Sequence, residues 1–421
     1  MQLYTFFIYT FLILAITPLQ SQTNYDEGKV PYYEVPDVMA TNDGKKVKSI
    51  AAWENLRRPE VLQFFETEVY GMVPENLEIN SYTIVEEEAN ALNGKAIRKQ
   101  VEITLKNNDK ILPFTLLLYL PKKNTKAPIF LGYNFYGNHT ITEDKDVLVS
   151  KAWTRNNEAF NIKNHTLTEA SRGVRKNRWP IAKIVDAGYG LAVMYYGELD
   201  GDKNDMTDGL HALFYSGDDQ QEPKSNPWGS ITAWAFGLSK AMDYLVQDND
   251  VGKVIVFGHS RLGKTSLWAG AQDQRFAGVI SNNSGCGGAA LSKRRFGETI
   301  KVVNANFPHW FADNFNNFND QEAALPMDQH GLLSLIAPRP LYVASAEDDL
   351  WADPYGEYLA AHYATPVYEL YNKKGLKKQK MPKTDTPVNR TVGYHVRTGK
   401  HDVTDYDWEQ FITWANKQIQ P

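Results

Sequence analysis

The feature that most constrains this chain is an apolar run that ends abruptly in a small polar turn. Residues 254–257 (Val-Ile-Val-Phe) predict a buried strand, Gly258-His259-Ser260 follow at once, and residues 264–271 have helical composition. Such a strand-to-helix turn lifts a serine hydroxyl clear of the sheet, as in a nucleophile elbow. The usual pattern is G-x-S-x-G, whereas here Leu262 takes the second glycine position and Gly263 follows it. Ser260 is therefore the candidate nucleophile, with an ordinary turn serine as the alternative.

A serine nucleophile needs a histidine base that is itself held by an acid. In chains built around such an elbow the order is serine, then acid, then histidine. Three histidines come late enough, namely His362, His395 and His401. His395 falls inside a predicted strand and His362 inside a predicted helix. His401 comes just after a strand and just before a final helix, so it is the predicted base.

The acid is expected on the loop after the preceding strand, where three carboxylates are adjacent. These are Glu347, Asp348 and Asp349, and they cannot all point at one imidazole. The spacing from the strand favours Asp349. Glu347 and Asp348 are alternatively interpreted as charged loop residues exposed to solvent, or as residues that cap a turn.

The order of predicted elements indicates an α/β fold. An N-terminal hairpin (strands over 96–105 and 111–120) precedes apolar strands that alternate with helices, which is typical of a mostly parallel, doubly wound sheet. A helix is predicted over 53–70, interrupted at Pro59, after a polar arm over 23–50. Long insertions at 138–180, 198–228 and 285–335 are expected to form a substrate surface over the strand ends.

Composition excludes several classes of function. The 421 residues include 45 basic and 50 acidic ones, a net charge of −5, which argues against a nucleic-acid binder. The single cysteine, Cys286, allows no internal disulfide and no cysteine-based zinc site. The sequence has no phosphate loop, no H-E-x-x-H and no dinucleotide fingerprint, so we expect neither a metal nor another cofactor.

The N-terminus predicts export. Residues 3–16 are apolar but too short to span a bilayer comfortably, and polar residues follow at once. Residues 1–22 are therefore predicted to be a signal peptide, although no Lys or Arg follows Met1; a buried N-terminal segment is the alternative. We expect residues 23–421 to form a single catalytic domain, a monomer that is secreted or periplasmic and not bound to a membrane after cleavage.

Several motifs together resemble the glucuronoyl esterases, carbohydrate esterase family 15, in its bacterial branch. They are the elbow at 256–264, the Ser-Asn-Asn-Ser-Gly-Cys-Gly-Gly run at 281–288, Ala-Pro-Arg-Pro at 337–340, Ser-Ala-Glu-Asp-Asp-Leu-Trp-Ala at 345–352 and Gly-Lys-His-Asp at 399–402. The resemblance runs from about residue 50 to the C-terminus. It implies the α/β-hydrolase fold, a three-layer sandwich around a mostly parallel sheet.

The resemblance also implies roles for individual residues. Ser260 would be the nucleophile, His401 the base, and the Arg261 guanidinium would face the developing oxyanion. Substrate contacts would come from Lys264, Glu298 and Trp351, each of which has a structural alternative: a helix-surface lysine, a loop glutamate and a core tryptophan. Many family members carry a catalytic glutamate where this chain has Asn283, so the acid would have to be Asp349.

The implied substrate is an ester between 4-O-methyl-glucuronic acid of glucuronoxylan and a lignin alcohol. An acetyl xylan esterase, or another carbohydrate esterase, would use the same fold and catalytic residues. A catalytically inactive hydrolase fold that binds polysaccharide is the alternative from another class, and an intact set of candidate catalytic residues argues against it.

Overall fold

The structure of the protein is a computed structural model that describes residues 23–74, 77–123, 126–215, 227–377 and 379–419. The predicted signal peptide, residues 1–22, lies outside the described residues. Within the described ranges, no helix is long and apolar enough to cross a membrane.

A sheet of nine strands forms the centre of the protein. Its order is β1-β2-β3-β5-β4-β6-β7-β8-β9. Strands β1 to β3 pair antiparallel, β3 pairs antiparallel with β5, and all later neighbours pair in parallel. The strands are β1 Glu78–Asn90, β2 Ala96–Asn107, β3 Lys110–Pro121, β4 Ala127–Asn134, β5 Gly190–Tyr195, β6 Val251–His259, β7 Gly278–Asn282, β8 Leu341–Ala346 and β9 Val392–Arg397.

Ten α-helices of six or more residues occur in the described part of the chain. They are α1 Arg58–Phe64, α2 Ile181–Asp186, α3 Gly209–Phe214, α4 Ser230–Leu245, α5 Arg261–Gln272, α6 Ile300–Asn306, α7 Gln329–Ser334, α8 Pro354–Tyr363, α9 Thr365–Leu370 and α10 Asp405–Gln418.

The helices cover both faces of the sheet and make three layers. Because successive side chains of a strand point to opposite faces, Val254 and Val256 of β6 join the core that includes residues of α4 and α5. Ile255 and Phe257 face the other way and join the core that includes residues of α2 and α10. The strand is therefore buried on both faces, which explains its unbroken apolar sequence.

The structure confirms the predicted parallel sheet and its N-terminal hairpin, and corrects one helix. The predicted interruption at Pro59 is wrong, because helical backbone runs through residues 50–69 without a break. A π-helical turn, Trp53–Arg57, precedes α1 and shifts the backbone hydrogen-bond pattern just before Pro59. Pro59 lies in the first turn of α1. Proline is tolerated there because it lacks an N–H group, and the N–H groups of a first turn have no partner within their own helix.

The topology brings the ends of several strands together at one edge. In a parallel sheet all carboxyl ends meet at the same edge, which is where such folds form their sites. Here β6 leads into Ser260, β7 into Asn283, β8 into Asp349 and β9 into His401. Residues that are far apart in sequence thus share one surface.

Candidate active site

Ser260 occupies a strained turn between β6 and α5. Its backbone angles are φ 59° and ψ −131°, in a region that L-residues rarely adopt, and its N–H donates to the Asn282 carbonyl at 2.9 Å. A Cβ at Gly258 would lie 1.8 Å from the backbone oxygen of Leu262, so a side chain there is excluded. Strain of this kind costs about 1–3 kcal/mol and persists where the surrounding structure enforces it. The turn leaves Ser260 partly exposed at the sheet edge.

An imidazole and a carboxylate meet beside this turn. His401 Nδ1 lies 2.6 Å from Asp349 Oδ2, and the Asn283 side-chain amide donates to the same oxygen at 2.7 Å. The Asp349 side chain is 4% exposed, whereas the His401 side chain is 38% exposed. A buried oxygen that accepts from two donors suits an ionised carboxylate, which in turn fixes the N–H of the imidazole on Nδ1. The Nε2 edge of His401 is thus the edge that can accept a proton.

The two neighbouring carboxylates form no hydrogen bond or ion pair with His401 in the described part of the chain. Glu347 and Asp348 are exposed, and Glu347 accepts a hydrogen bond from the Thr384 hydroxyl at 2.9 Å. Of the three adjacent acids, the structure brings only Asp349 to the imidazole.

A second imidazole packs against the first. The rings of His259 and His401 have centroids 4.5 Å apart, and His259 Nδ1 lies 2.6 Å from the side-chain oxygen of Asn282. Burial and the neighbouring His401 hold the pKa of His259 well below its usual value. His259 is therefore neutral and supports the His401 ring without competing for its carboxylate.

The guanidinium of Arg261 lies in an aromatic cluster and is paired with a buried carboxylate. Its central carbon lies 4.9 to 5.6 Å from the ring centroids of Phe135, Tyr196 and Trp310. Its Nη2 lies 2.9 Å from Asp202 Oδ2, whose side chain is fully buried. Within the described ranges, its other two nitrogens, Nε and Nη1, have no hydrogen-bond acceptor.

Asp202 connects several groups at this corner. Besides Arg261 it accepts from His309 at 2.9 Å and from the Trp310 indole at 2.8 Å, and Arg155 lies 3.3 Å from it. Although burial alone would raise it, the Arg261 charge and the His309 hydrogen bond hold the pKa of Asp202 below its usual value. The carboxylate is therefore ionised, and two arginines share its charge.

Lys264 of α5 and Glu298 form a buried ion pair, in which the two side chains are 3% and 5% exposed. Lys264 Nζ donates to Glu298 Oε2 at 2.9 Å and to the carbonyls of Ser284 and Cys286. An ammonium has three donors, so all of them are engaged within the protein. Glu298 Oε1 has no hydrogen-bond partner in the part of the chain that is described.

Trp351 and Cys286 differ in exposure although both lie close to this pair. Trp351 is 36% exposed, and its carbonyl accepts from the Glu298 N–H at 2.9 Å. Cys286 is 2% exposed and burial raises the pKa of its thiol. The cysteine is thus a packed, protonated residue.

A further buried carboxyl lies under the loop that follows β7. Glu357 of α8 accepts from the backbone N–H groups of Ser284 and Gly285 at 2.7 and 3.1 Å, and from the Ser345 hydroxyl at 2.6 Å. Burial raises the pKa of Glu357 to about 8. The loop that presents Asn283 is therefore tied to α8 immediately after that residue.

Comparison with known proteins identifies the family. Over 399 residues the chain is 50% identical to carbohydrate esterase MZ0003 from an unknown prokaryotic organism, covering 94% of this chain and 92% of that one. The chain belongs to carbohydrate esterase family 15. A family model described as fungal glucuronyl esterase also matches residues 203–372.

Solved structures of family 15 agree with this placement. A promiscuous esterase of the family from a marine bacterial metagenome superposes with a TM-score of 0.88 at 49% identity, covering 94% of this chain and 100% of that chain. A glucuronoyl esterase from Solibacter usitatus gives a TM-score of 0.86 at 46% identity, covering 93% and 99%. The predicted α/β-hydrolase fold and the prediction of a carboxylic ester hydrolase of the glucuronoyl esterase family are confirmed.

The structure brings together most of the residues that the sequence predicted for this family 15 site. Ser260, Asp349 and His401 lie at one edge of the sheet, and His395 is fully buried in β9 between Asp407 and Tyr342. Lys264, Glu298 and Trp351 form one connected group, although Lys264 is saturated by the protein itself.

The sequence did not predict three residues of this candidate site, namely Asp202, His259 and Glu357. Asp202 lies on an insertion, His259 was treated only as part of the elbow, and Glu357 looked like one more helix carboxylate. A usable signal existed for Asp202, because a carboxylate that soon follows the end of a parallel strand lies at the functional edge. Glu357 carries no comparable signal, since its partners, two backbone N–H groups and the Ser345 hydroxyl, lie on other elements of the fold.

Proposed function

We propose that this family 15 protein is a secreted serine esterase that hydrolyses esters between 4-O-methyl-glucuronic acid of glucuronoxylan and lignin alcohols. Ser260 is the nucleophile, His401 the base and Asp349 the acid. The observation that carries the proposal is the 2.6 Å contact between His401 Nδ1 and a buried Asp349 oxygen, beside a serine in an elbow.

Acylation begins at Ser260. Its Oγ attacks the C6 carbonyl carbon of the uronate ester while His401 Nε2 takes the hydroxyl proton. The ionised Asp349 stabilises the imidazolium that forms and keeps its ring oriented. Collapse of the tetrahedral intermediate expels the alcohol, which leaves with the proton from His401.

The negative charge of the tetrahedral oxygen falls next to Arg261. Preformed donors aimed at this oxygen lower the barrier because the charge develops only in the transition state. Asp202 lies 2.9 Å from Nη2, and Nε is buried, so Nη1 is the nitrogen whose hydrogens we assign to an acceptor such as this oxygen. In the first turn of α5 the N–H groups of Gly263 and Lys264 donate to the Ser260 carbonyl at 2.8 and 3.2 Å. The N–H groups of Arg261 and Leu262, which precede them, are the ones we assign to complete the donor set.

Deacylation reverses the roles. Water attacks the acyl carbon and gives a proton to His401, and the imidazolium returns it to the departing Ser260 oxygen. The product is the free uronic acid. Since His401 is partly exposed, water reaches it without a conformational change.

The acyl side of the site suits a sugar acid better than acetate. Glu298 Oε1 is the acceptor we assign to a ring hydroxyl, and Lys264 holds that carboxylate in position rather than touching the sugar. The half-exposed Trp351 ring packs against the sugar. An acetyl group would leave these groups unused.

Cleavage of residues 1–22 precedes this function in the proposal. The mature protein, residues 23–421, is one catalytic domain, secreted or periplasmic, and acts as a monomer on its polysaccharide. The net charge of −5 gives no basis for binding nucleic acid.

The test compares purified protein on benzyl glucuronate and on acetylated xylan, with Ser260→Ala as the matched inactive variant. We expect a higher kcat/KM on the glucuronate ester and no turnover by Ser260→Ala on either substrate. Preference for acetylated xylan would instead establish the acetyl esterase. If the wild-type protein turns over neither substrate but still binds polysaccharide, the alternative of a catalytically inactive binding protein is established.

A further inference from the structure

Loop residues Phe296–Glu298 connect the N-terminal arm to the sugar side of the site. The Gly297 N–H donates to the Asn24 carbonyl at 2.8 Å, and the Glu298 N–H donates to the Trp351 carbonyl at 2.9 Å. The arm, the 296–298 loop and the loop after β8 therefore lie side by side, joined by backbone hydrogen bonds.

The contact between these loops is too close for a side chain. Gly297 has φ +61°, and a Cβ there would lie 2.4 Å and 2.5 Å from the backbone oxygens of Leu350 and Trp351. Only glycine permits this approach at a positive φ. The position of Asn24 is thus fixed relative to Trp351 by backbone geometry.

Tyr25 is held at the surface by this arrangement. Its ring packs edge-on against Phe296 with centroids 6.3 Å apart, and 47% of the residue remains exposed. Burial, and secondarily the Asp349 charge, raise the pKa of Tyr25, so its phenol is neutral.

The arm is anchored a second time two residues later. Glu27 Oε1 accepts from Arg294 at 2.7 Å, and the buried Arg294 also pairs with Asp353 at 2.8 Å. Because the backbone on both sides of Tyr25 is already held in place, little conformational entropy is lost when a ligand binds to this exposed ring. Such a ring offers a flat apolar surface with a polar tip.

We infer that Tyr25 is a specificity-determining residue, a second aromatic wall beside Trp351 that contacts the sugar of the substrate. This inference rests on the proposed function, which assigns the Glu298 and Trp351 side of the site to the uronate. Tyr25 contributes to binding of the sugar in the ground state and in the transition state alike, and takes no part in proton transfer.

The experiment measures kcat and KM on benzyl glucuronate, together with the melting temperature, for the mature protein of residues 23–421. Tyr25→Ala is expected to raise KM about tenfold with kcat nearly unchanged, because uniform binding is lost. Tyr25→Phe should stay within about threefold of wild type, since it keeps the ring.

Tyr32→Ala is the matched control, because Tyr32 lies on the same arm, is 88% exposed and donates its hydroxyl hydrogen to nearby Glu34. Its kinetics should equal those of wild type. An unchanged KM for Tyr25→Ala would overturn the inference. A joint fall of kcat and melting temperature would also overturn it, because it would show that Tyr25 only stabilises the fold. Wild-type protein without activity on the glucuronate ester would instead overturn the proposed function, and this inference with it.

Discussion

The contact of Asn283 and His401 with one oxygen of Asp349 makes the position of the catalytic acid testable. Changing Asp349→Asn keeps the shape of the side chain and removes its charge. Loss of that charge costs about 10⁴-fold in kcat where a triad aspartate becomes asparagine, which corresponds to about 5.4 kcal/mol of transition-state stabilisation. KM should change little, because the imidazolium exists only during the reaction.

The second step restores a carboxylate from the other loop. Asn283 Nδ2 lies 2.7 Å from the same Asp349 oxygen that His401 contacts, so a glutamate at 283 reaches the imidazole. At about 4 Å and an effective dielectric constant of about 20, opposite unit charges attract by about 4 kcal/mol. Even partial recovery of this energy gives Asp349→Asn/Asn283→Glu at least about tenfold more activity than Asp349→Asn alone.

Asn283→Gln in the same Asp349→Asn background is the control, because it adds the same methylene group without charge. The assay is kcat on benzyl glucuronate, with melting temperatures to confirm folding. Equal recovery by Gln and Glu would show that size, not charge, matters. No recovery by Glu would show that the 283 loop does not serve His401, and near wild-type activity of Asp349→Asn would place the acid elsewhere.

Three further outcomes are expected. His401→Ala should abolish turnover with an unchanged melting temperature, whereas His395→Ala should lower the melting temperature, because His395 is buried and bonded to Asp407 and Tyr342; the reverse ranking would contradict our assignment of the base. Burial lowers the pKa of both His139 and His330 to about 4. Between about pH 6.5 and 4 the unfolded chain therefore binds protons that the folded chain does not, so urea midpoints should fall as the pH drops through this window, and His139→Gln/His330→Gln should flatten that slope. Asp202→Asn should reduce the free energy of unfolding by about 2–3 kcal/mol, somewhat less than for a fully buried pair, because the Arg261 side chain that loses its counter-ion is 18% exposed. A urea titration that matches wild type would show that the pair contributes nothing.

The central sheet and the elbow could be predicted because their signals are local. Unbroken apolar runs such as β6 occur where both faces are buried, and the turn at Ser260 demands small residues at fixed positions. His401 could be separated from His395 for the same reason, since one follows a strand and the other lies within it.

Residues whose partners are distant in sequence could not be assigned. The protein acceptors of Lys264 could not be predicted, because two of the three are backbone carbonyls and the third is the Glu298 carboxylate on another loop. Pro59 resembles a helix breaker until the π-helical turn before it is known. In both cases the path of the backbone decides the outcome, and no residue type in the sequence signals that path.

The pairing of Arg261 with Asp202 has a consequence for protein engineering. The arginine belongs to the elbow, but its counter-ion belongs to a separate insertion, and the rings of Phe135, Tyr196 and Trp310 pack against the guanidinium. Grafting the Gly-His-Ser-Arg segment onto another hydrolase scaffold would transfer a cation without the carboxylate that orients it. The elbow and the insertion behave as one transferable module, and recombination between family members should place its crossover points outside both.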